Sequence, residues 1–246
     1  MDRLIYTAGS GAKHILEQQA TASHNLANVS TTGFRAQVDA FRAVQVEGGT
    51  LPTRAFVVNS TSGTDFSSGP LQATGRDLDV AVKGRGWIAL TMADGSEAYT
   101  RSGALNMNEN GLLTGQGGNA VAGDGGPISV PPDVTVAIGG DGTISTIATG
   151  TKPGTPTVLG RLKLVNPPEN NLVRGDDGLF RLKDGKPAEV DPAVSVAGGM
   201  LERSNVNPID SMVNMISLAR SFEMQMSMMK NAENNATKAT QILALS

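Results

Sequence analysis

Apolar side chains recur at threes and fours over both ends of the chain. Near the C-terminus Ile209, Met212, Ile216, Ala219, Phe222, Met226, Met229, Ala236, Thr240 and Leu243 keep that step and miss it only at Glu233. The period is that of one face of an α-helix. Asn207-Pro208-Ile209-Asp210 supplies its start, with an Asn cap, proline at the first helical position and an acid in the first turn. One helix over 208–246 would run about 58 Å at 1.5 Å per residue. At the N-terminus Leu4, Ala8, Gly11, Ile15, Ala22 and Leu26 repeat the pattern, with Gln18 or Gln19 in the gap.

Between these ends no segment is long enough for a buried helix. Leu78–Val82, Trp87–Leu90, Val134–Ile138 and Leu159–Val165 are short apolar, β-branched runs, separated by Asp94-Gly95, Asn110-Gly111, Asp141-Gly142, Asp177-Gly178 and Asp184-Gly185. Such dipeptides accept the positive φ angles of tight hairpins. Only Gly9, Gly11 and Gly33 precede Gly48, none follows Gly199, and every proline but Pro208 lies between Pro52 and Pro192. The pattern predicts an α+β chain. A helical domain comes from 1–35 with 201–246, an extended linker or hairpin from 36–68, and a mainly antiparallel β-rich domain from 69–200. Residues 139–157, rich in Gly and Thr, fit either a loop or weak strands.

Charge changes the picture of the helices. After Pro208 the acids Asp210, Glu223 and Glu233 balance Arg220, Lys230 and Lys238, and the polar face is mostly Asn, Ser, Gln and Thr. In the N-terminal segment Asp2 and Glu17 balance Arg3 and Lys13. A solvated single helix carries more charge pairs than this. Two arrangements fit: terminal helices that pack on each other and on neighbouring subunits, or a two-helix cap over the β domain. Methionines exceed what one seam needs, since Met215, Met224 and Met228 fall off the main stripe, which suits a helix contacted on several sides.

The chemistry on offer is sparse. The 246 residues hold no cysteine and two histidines, and the net charge is −3. Disulfides, thiolate metal sites and cysteine nucleophiles are excluded. No basic excess is present to neutralise a phosphate backbone, so no nucleic-acid partner is expected. No run reaches the roughly 20 apolar residues of a membrane span, and the opening residues lack the pattern of a secretory signal. His14 and His24 sit about 15 Å apart on one helix, too far to share a metal. Asn106 to Gly117 begins like a calcium loop but ends in glycine where a bidentate Glu is required, which favours a hairpin turn. Gly84-Arg85-Gly86 runs into a strand rather than a helix, against a dinucleotide site. The pairs Asp77/Asp79 and Asp176/Asp177 fit turn formers better than catalytic carboxylates. No catalytic residue, cofactor or metal site is expected, and the chain is not expected to be an enzyme.

Ser23-His24-Asn25-Leu26-Ala27-Asn28, followed by Thr31, Thr32 and Gly33-Phe34-Arg35, closely resembles the signature of the bacterial flagellar rod and hook proteins. The resemblance continues through Gly69–Gly75, Leu78–Trp87, Tyr99-Thr100-Arg101-Ser102-Gly103, Asn110–Leu113 and Leu201-Glu202-Arg203-Ser204-Asn205-Val206-Asn207-Pro208, and on to Phe222-Glu223. It departs at Gly9-Ser10, where relatives often carry Met-Ser, and at Trp87-Ile88, where they carry a phenylalanine pair. Met1–Ala8 resembles the opening of the family's proximal rod members. The resemblance implies a non-enzymatic rod subunit whose terminal helices pair as an inner coiled coil beneath an outer β domain. It implies self-assembly with other rod proteins, including the distal rod protein FlgG. It also implies passage through the flagellar type III export apparatus to a rod that crosses the periplasm. The helix seams expected at subunit interfaces are Leu4, Ile15, Leu26, Ile209, Met212, Ile216, Phe222, Met226, Met229 and Leu243. The signature residues are Asn25, Leu26, Ala27, Asn28, Thr31, Gly33, Phe34, Asn205, Asn207 and Pro208. Asn25 and Asn28 fit either a helix end or a contact between subunits. The alternatives are a distal rod subunit and a self-contained β-rich binding module with a helical hairpin.

Overall fold

The computed structural model describes residues 2–45, 55–132, 134–148 and 156–244. The side chains of Leu4 and Leu243 lie outside the description, as does the backbone of 149–155 within the Gly/Thr-rich stretch. The chain divides into two compact units. One comprises residues 1–29, 36–65 and 206–246; the other comprises 30–35 and 66–205.

The helical unit holds α1 (Asp2–Ala27), the hairpin of β1 (Gln37–Gln45) and β2 (Ala55–Thr64), and α2 (Pro208–Ala244). Over 37 residues α2 runs about 55 Å. Its start follows the sequence: the Asn207 side-chain oxygen accepts the Ile209 N–H at 3.0 Å, and the Asn207 amide donates to Asp210 at 2.7 Å. The two helices run antiparallel. A Cβ placed at Gly9 would approach the Met229 sulfur, and one at Gly11 would come within 3.3 Å of the Gln225 side chain. Small side chains make the close approach. Among the described residues, Ala8, Ala12 and Ala22 of α1 and Ala232 of α2 are the buried ones along the pair.

The β unit is antiparallel at every pairing among the described residues. Its strands include β3 (Leu71–Ala73), β4 (Val80–Lys83), β5 (Trp87–Thr91) and β6 (Glu97–Thr100). In a nine-stranded sheet β5 lies between β6 and the strand Ala120–Gly123. Both faces of β5 are covered, because alternate residues point to opposite sides. Ile88 and Leu90 join Val80, Val82, Leu105, Leu113 and Ile144 in one core, while Trp87 and Ala89 join Tyr99, Phe180 and Val165 in another. The chain closes this unit with its last segment: Ser195–Gly198 pairs with β4, and Met200–Glu202 pairs with β3.

The run Leu159–Val165 is not one strand. Thr157–Arg161 and Leu164–Val165 belong to different sheets: Leu162 still donates its N–H to Gly142 in the register of the first ladder, but it also bridges Gly123, and the Lys163 N–H donates to Ala122 of the larger sheet. The Asn106–Gly117 stretch is a hairpin turn. The Asn108 side-chain oxygen accepts the N–H groups of Asn110 and Leu112, an arrangement in which asparagine mimics a backbone turn.

Tyr99 ties the second core to a polar edge. Its hydroxyl accepts the Ala188 N–H at 2.8 Å and donates to Glu97, whose other oxygen meets Lys163 at 2.5 Å. Burial pushes the Tyr99 phenol up to about 12 from its ordinary 10.0. The fold therefore favours the neutral phenol. That stabilisation is fully present below pH 10 and is lost as pH rises from 10 towards 12. Urea unfolding followed through Trp87, the single tryptophan, should show stability falling across this interval. Tyr99→Phe should lose about 1–2 kcal/mol at neutral pH, because Ala188 is left without an acceptor, and should show a flatter alkaline decline. An equally steep decline in the variant contradicts this assignment.

Candidate functional site

The signature residues serve two local structures. In the helical unit Asn25 acts as a strand partner for the start of β1: its amide donates to the Gln37 carbonyl and its oxygen accepts the Gln37 N–H, both at 2.8 Å. Asn28 donates to the His24 carbonyl at 2.9 Å and so satisfies the open end of α1. Thr21 donates to Asp39 at 2.9 Å, and His14 meets Phe41 edge-on, so the hairpin is held against α1.

In the β unit Gly33, Phe34 and Arg35 lead into a buried ion cluster. Glu202, wholly inaccessible, faces two guanidinium groups. The Arg101 Nε donates to one carboxylate oxygen at 2.7 Å. The Gly69 N–H donates to the other at 2.8 Å. Arg35 Nη1 lies 2.8 Å from that second oxygen, off its own N–H directions, and Arg35 Nε has no hydrogen-bond partner. Arg101 also donates to the carbonyls of Gly86 and Val82. Burial pulls the Arg101 guanidinium below its ordinary value, and its bond to Glu202 opposes that shift. Phe34 sits under the Arg174 guanidinium, 4.5 Å from its ring centre. Gly33 has φ +68°, and a Cβ there would lie 2.3 Å from the Ser102 nitrogen, so both its conformation and its neighbour demand glycine. Each member of this cluster comes from a motif that sequence inspection marks, but nothing in their separate spacings announces that they meet. Asp79 is a second such case: it is buried beside Arg76 rather than an exposed turn former. Asp177 does form a turn and holds Arg181 through both oxygens, a bond that keeps its carboxyl below the usual range.

The seam positions separate into two sets. Phe222 and Met229 are half-buried, as are Ile15 and Leu26. Ile209, Met212 and Ile216, which share their phase in sequence, are 70%, 52% and 56% exposed, and Val213 beside them is 62% exposed. At about 100° per residue these four occupy the side of α2 opposite Met215, Leu218, Phe222 and Met229. Met226 is also exposed. Met215 therefore belongs to the packed face, not off it: α1 selects a phase a few residues away from the stripe that hydrophobicity alone marks. Among the described residues no group of His, Asp or Glu is placed to hold a metal ion, and no helix is long and apolar enough to cross a membrane.

Three family models match the chain. Residues 5–35 match that described as flagella basal body rod protein. Residues 81–146 match the flagellar hook protein FlgE/F/G D1 domain. Residues 197–242 match the C-terminal region of the flagellar basal body rod FlgEFG proteins. The flagellar basal-body rod protein FlgF of Escherichia coli (strain K12) is 47% identical over 252 residues, covering 100% of both chains. The chain belongs to the FlgF family of flagellar basal-body rod proteins. FlgF of Salmonella typhimurium is 46% identical over the same span, and FlgF of Caulobacter vibrioides is 30% identical over 251 residues, 99% of this chain and 98% of its own. A FlgG rod protein of Buchnera aphidicola is 30% identical over 243 residues, 89% of this chain and 92% of its own. Each of the three matched segments brings one residue to the ion cluster: Arg35, Arg101 and Glu202. In this chain, then, the first and last segments of the β unit are joined by charge.

Proposed function

We propose that this chain is a structural subunit of the proximal flagellar rod and performs no catalysis. The observation that carries the proposal is the outward face of α2. Ile209, Met212, Val213 and Ile216 form an exposed apolar patch among the described residues, in a protein that matches rod proteins from end to end. Burying one such side chain is worth about 1.5–3 kcal/mol, whereas association costs about 4–15 kcal/mol in lost freedom. One patch against one partner is marginal. Several repeated seams per subunit are not, which suits helical stacking into a hollow shaft that carries torque and passes exported subunits. The paired helices α1 and α2 form the inner domain of that stack, and the β unit forms the outer domain. Neighbours are copies of this chain and other rod proteins, with FlgG on the distal side. Leu4, Ile15, Leu26, Phe222, Met226, Met229 and Leu243 complete the seams. The subunit reaches the periplasm through the flagellar export apparatus.

The helices firm up only on assembly. Their buried contacts are largely alanines, which remove little apolar area from water, and isolated helices are marginal. Protease digestion of the free chain and of purified basal bodies tests both statements. In the free chain, cuts should fall before residue 66 and after residue 205, leaving a resistant β fragment. In basal bodies the same sites should be protected. Absence of the chain from basal bodies overturns the function, and uniform resistance of the free chain overturns the ordering.

A further inference from the structure

The segments 30–35 and 199–205 hold to the rest of the β unit mainly by polar contacts. The Gly33 N–H donates to the Glu202 carbonyl at 2.8 Å and ties the two segments to each other, and the Arg203 N–H donates to Pro70 at 3.0 Å. The Thr32 and Ser102 hydroxyls bond at 2.8 Å, and the Asn205 amide donates to the Ser67 carbonyl at 3.1 Å. Phe34 is the one large apolar side chain of these segments that is fully buried. Neither apolar core includes a residue from either segment. The strand that Met200–Glu202 pairs with, β3, is exposed at all three positions.

The ion cluster is uneven. Arg101 is fastened to the sheet through the carbonyls of Gly86 and Val82 as well as through Glu202. Arg35 has a misdirected contact to Glu202 and an unpartnered Nε. One carboxylate thus faces two buried guanidiniums, and opening would hydrate Arg35 and Glu202 while leaving Arg101 its two carbonyls. Desolvation of buried charges works against closure, and apolar burial in these segments offers little to oppose it. We propose that Arg35–Glu202–Arg101 is a latch. When it opens, 30–35 and 199–205 release together as one local unit, and the nine-stranded sheet stays folded. The released stretches run directly into β1 and α2, so opening gives slack to both while the core persists. The use of that slack during incorporation rests on the rod-subunit reading; the latch itself does not.

Hydrogen–deuterium exchange of the full-length chain tests the latch. In the parent, the amides of Gly33, Arg203 and Asn205 should exchange together, at least tenfold faster than those of 87–91 and 97–100. Arg35→Met and Glu202→Gln should each accelerate the Gly33 and Asn205 amides at least tenfold and leave the sheet within twofold. Arg101→Met should accelerate the sheet as well, because Arg101 also holds Gly86 and Val82. Equal acceleration of segments and sheet in Arg35→Met and Glu202→Gln, no acceleration in either, or failure of both to fold overturns the latch.

Discussion

Gly103→Ala is expected to unfold the β unit. A Cβ at this position would lie 1.6 Å from the Val80 carbonyl oxygen and 2.8 Å from the Val80 Cγ1. The carbonyl is backbone and cannot rotate aside. Relief requires β4 to retreat by more than an ångström, yet Val80 and Val82 are fully buried in the main core. Retreat also breaks the bond from the Val80 N–H to the Gly103 carbonyl, 2.9 Å long, and strains the pairing of β4 with Ser195–Gly198. A loss above about 4 kcal/mol follows, in the exceptional range for one substitution. Against a typical domain stability of about 5–15 kcal/mol that leaves little or no folded β unit. Gly160→Ala is the control: a Cβ there meets nothing within 4 Å, and its effect should stay within about 1 kcal/mol. Urea unfolding read through Trp87 compares the two. A Gly103→Ala protein with the parent's midpoint contradicts the argument.

Local signals carried most of this architecture. The cap at Asn207 and Pro208, the short apolar runs at Trp87–Leu90 and Val134–Ile138, and the hairpin at Asn108–Gly111 depend on neighbours within a few residues, and those neighbours are visible in the sequence. Long-range choices were not visible. Arg35, Arg101 and Glu202 lie up to 167 residues apart (202 − 35), and a lone arginine inside a motif does not reveal that it will be buried against a glutamate. The phase of α2 was hidden for a related reason. Both faces of its first half carry Met, Ile, Leu or Val, so periodicity alone does not choose between Met212/Ile216 and Met215/Leu218 as the side that meets α1. The small residues of α1 decide it, since alanine and glycine at 8, 9, 11 and 12 admit Gln225 and Met229 closely. The same ambiguity marks the candidate surface: a helix apolar on two sides has one side left over after it has packed.

Ile216→Asp tests that left-over side. In the single chain Ile216 is 56% exposed and belongs to neither apolar core. Replacing it should change the stability of the free protein by no more than about 0.5–1 kcal/mol, most of it the lower helix propensity of aspartate. Within a rod the consequence is different in kind. A carboxylate held in an apolar seam without a partner costs several kcal/mol, and the cost recurs at every subunit of a repeating assembly. Incorporation should therefore fail while the β unit stays folded. Ile216→Gln separates charge from lost apolar area: it keeps a good helix former, brings no charge, and should reduce incorporation without abolishing it. Phe222→Asp should also block incorporation, but Phe222 is half-buried on the packed side, so its failure mixes helix pairing with assembly, and Ile216 is the sharper probe. The measurement is complementation of a deletion strain, with swimming radius on soft agar and the presence of the variant in purified basal bodies read together. Loss of swimming with a folded, exportable Ile216→Asp protein assigns this face to the rod's interior contacts. Normal rods containing Ile216→Asp would leave the exposed stripe of α2 without a role in assembly, and the seams would then have to be sought on the flanks of α1 or on the β unit.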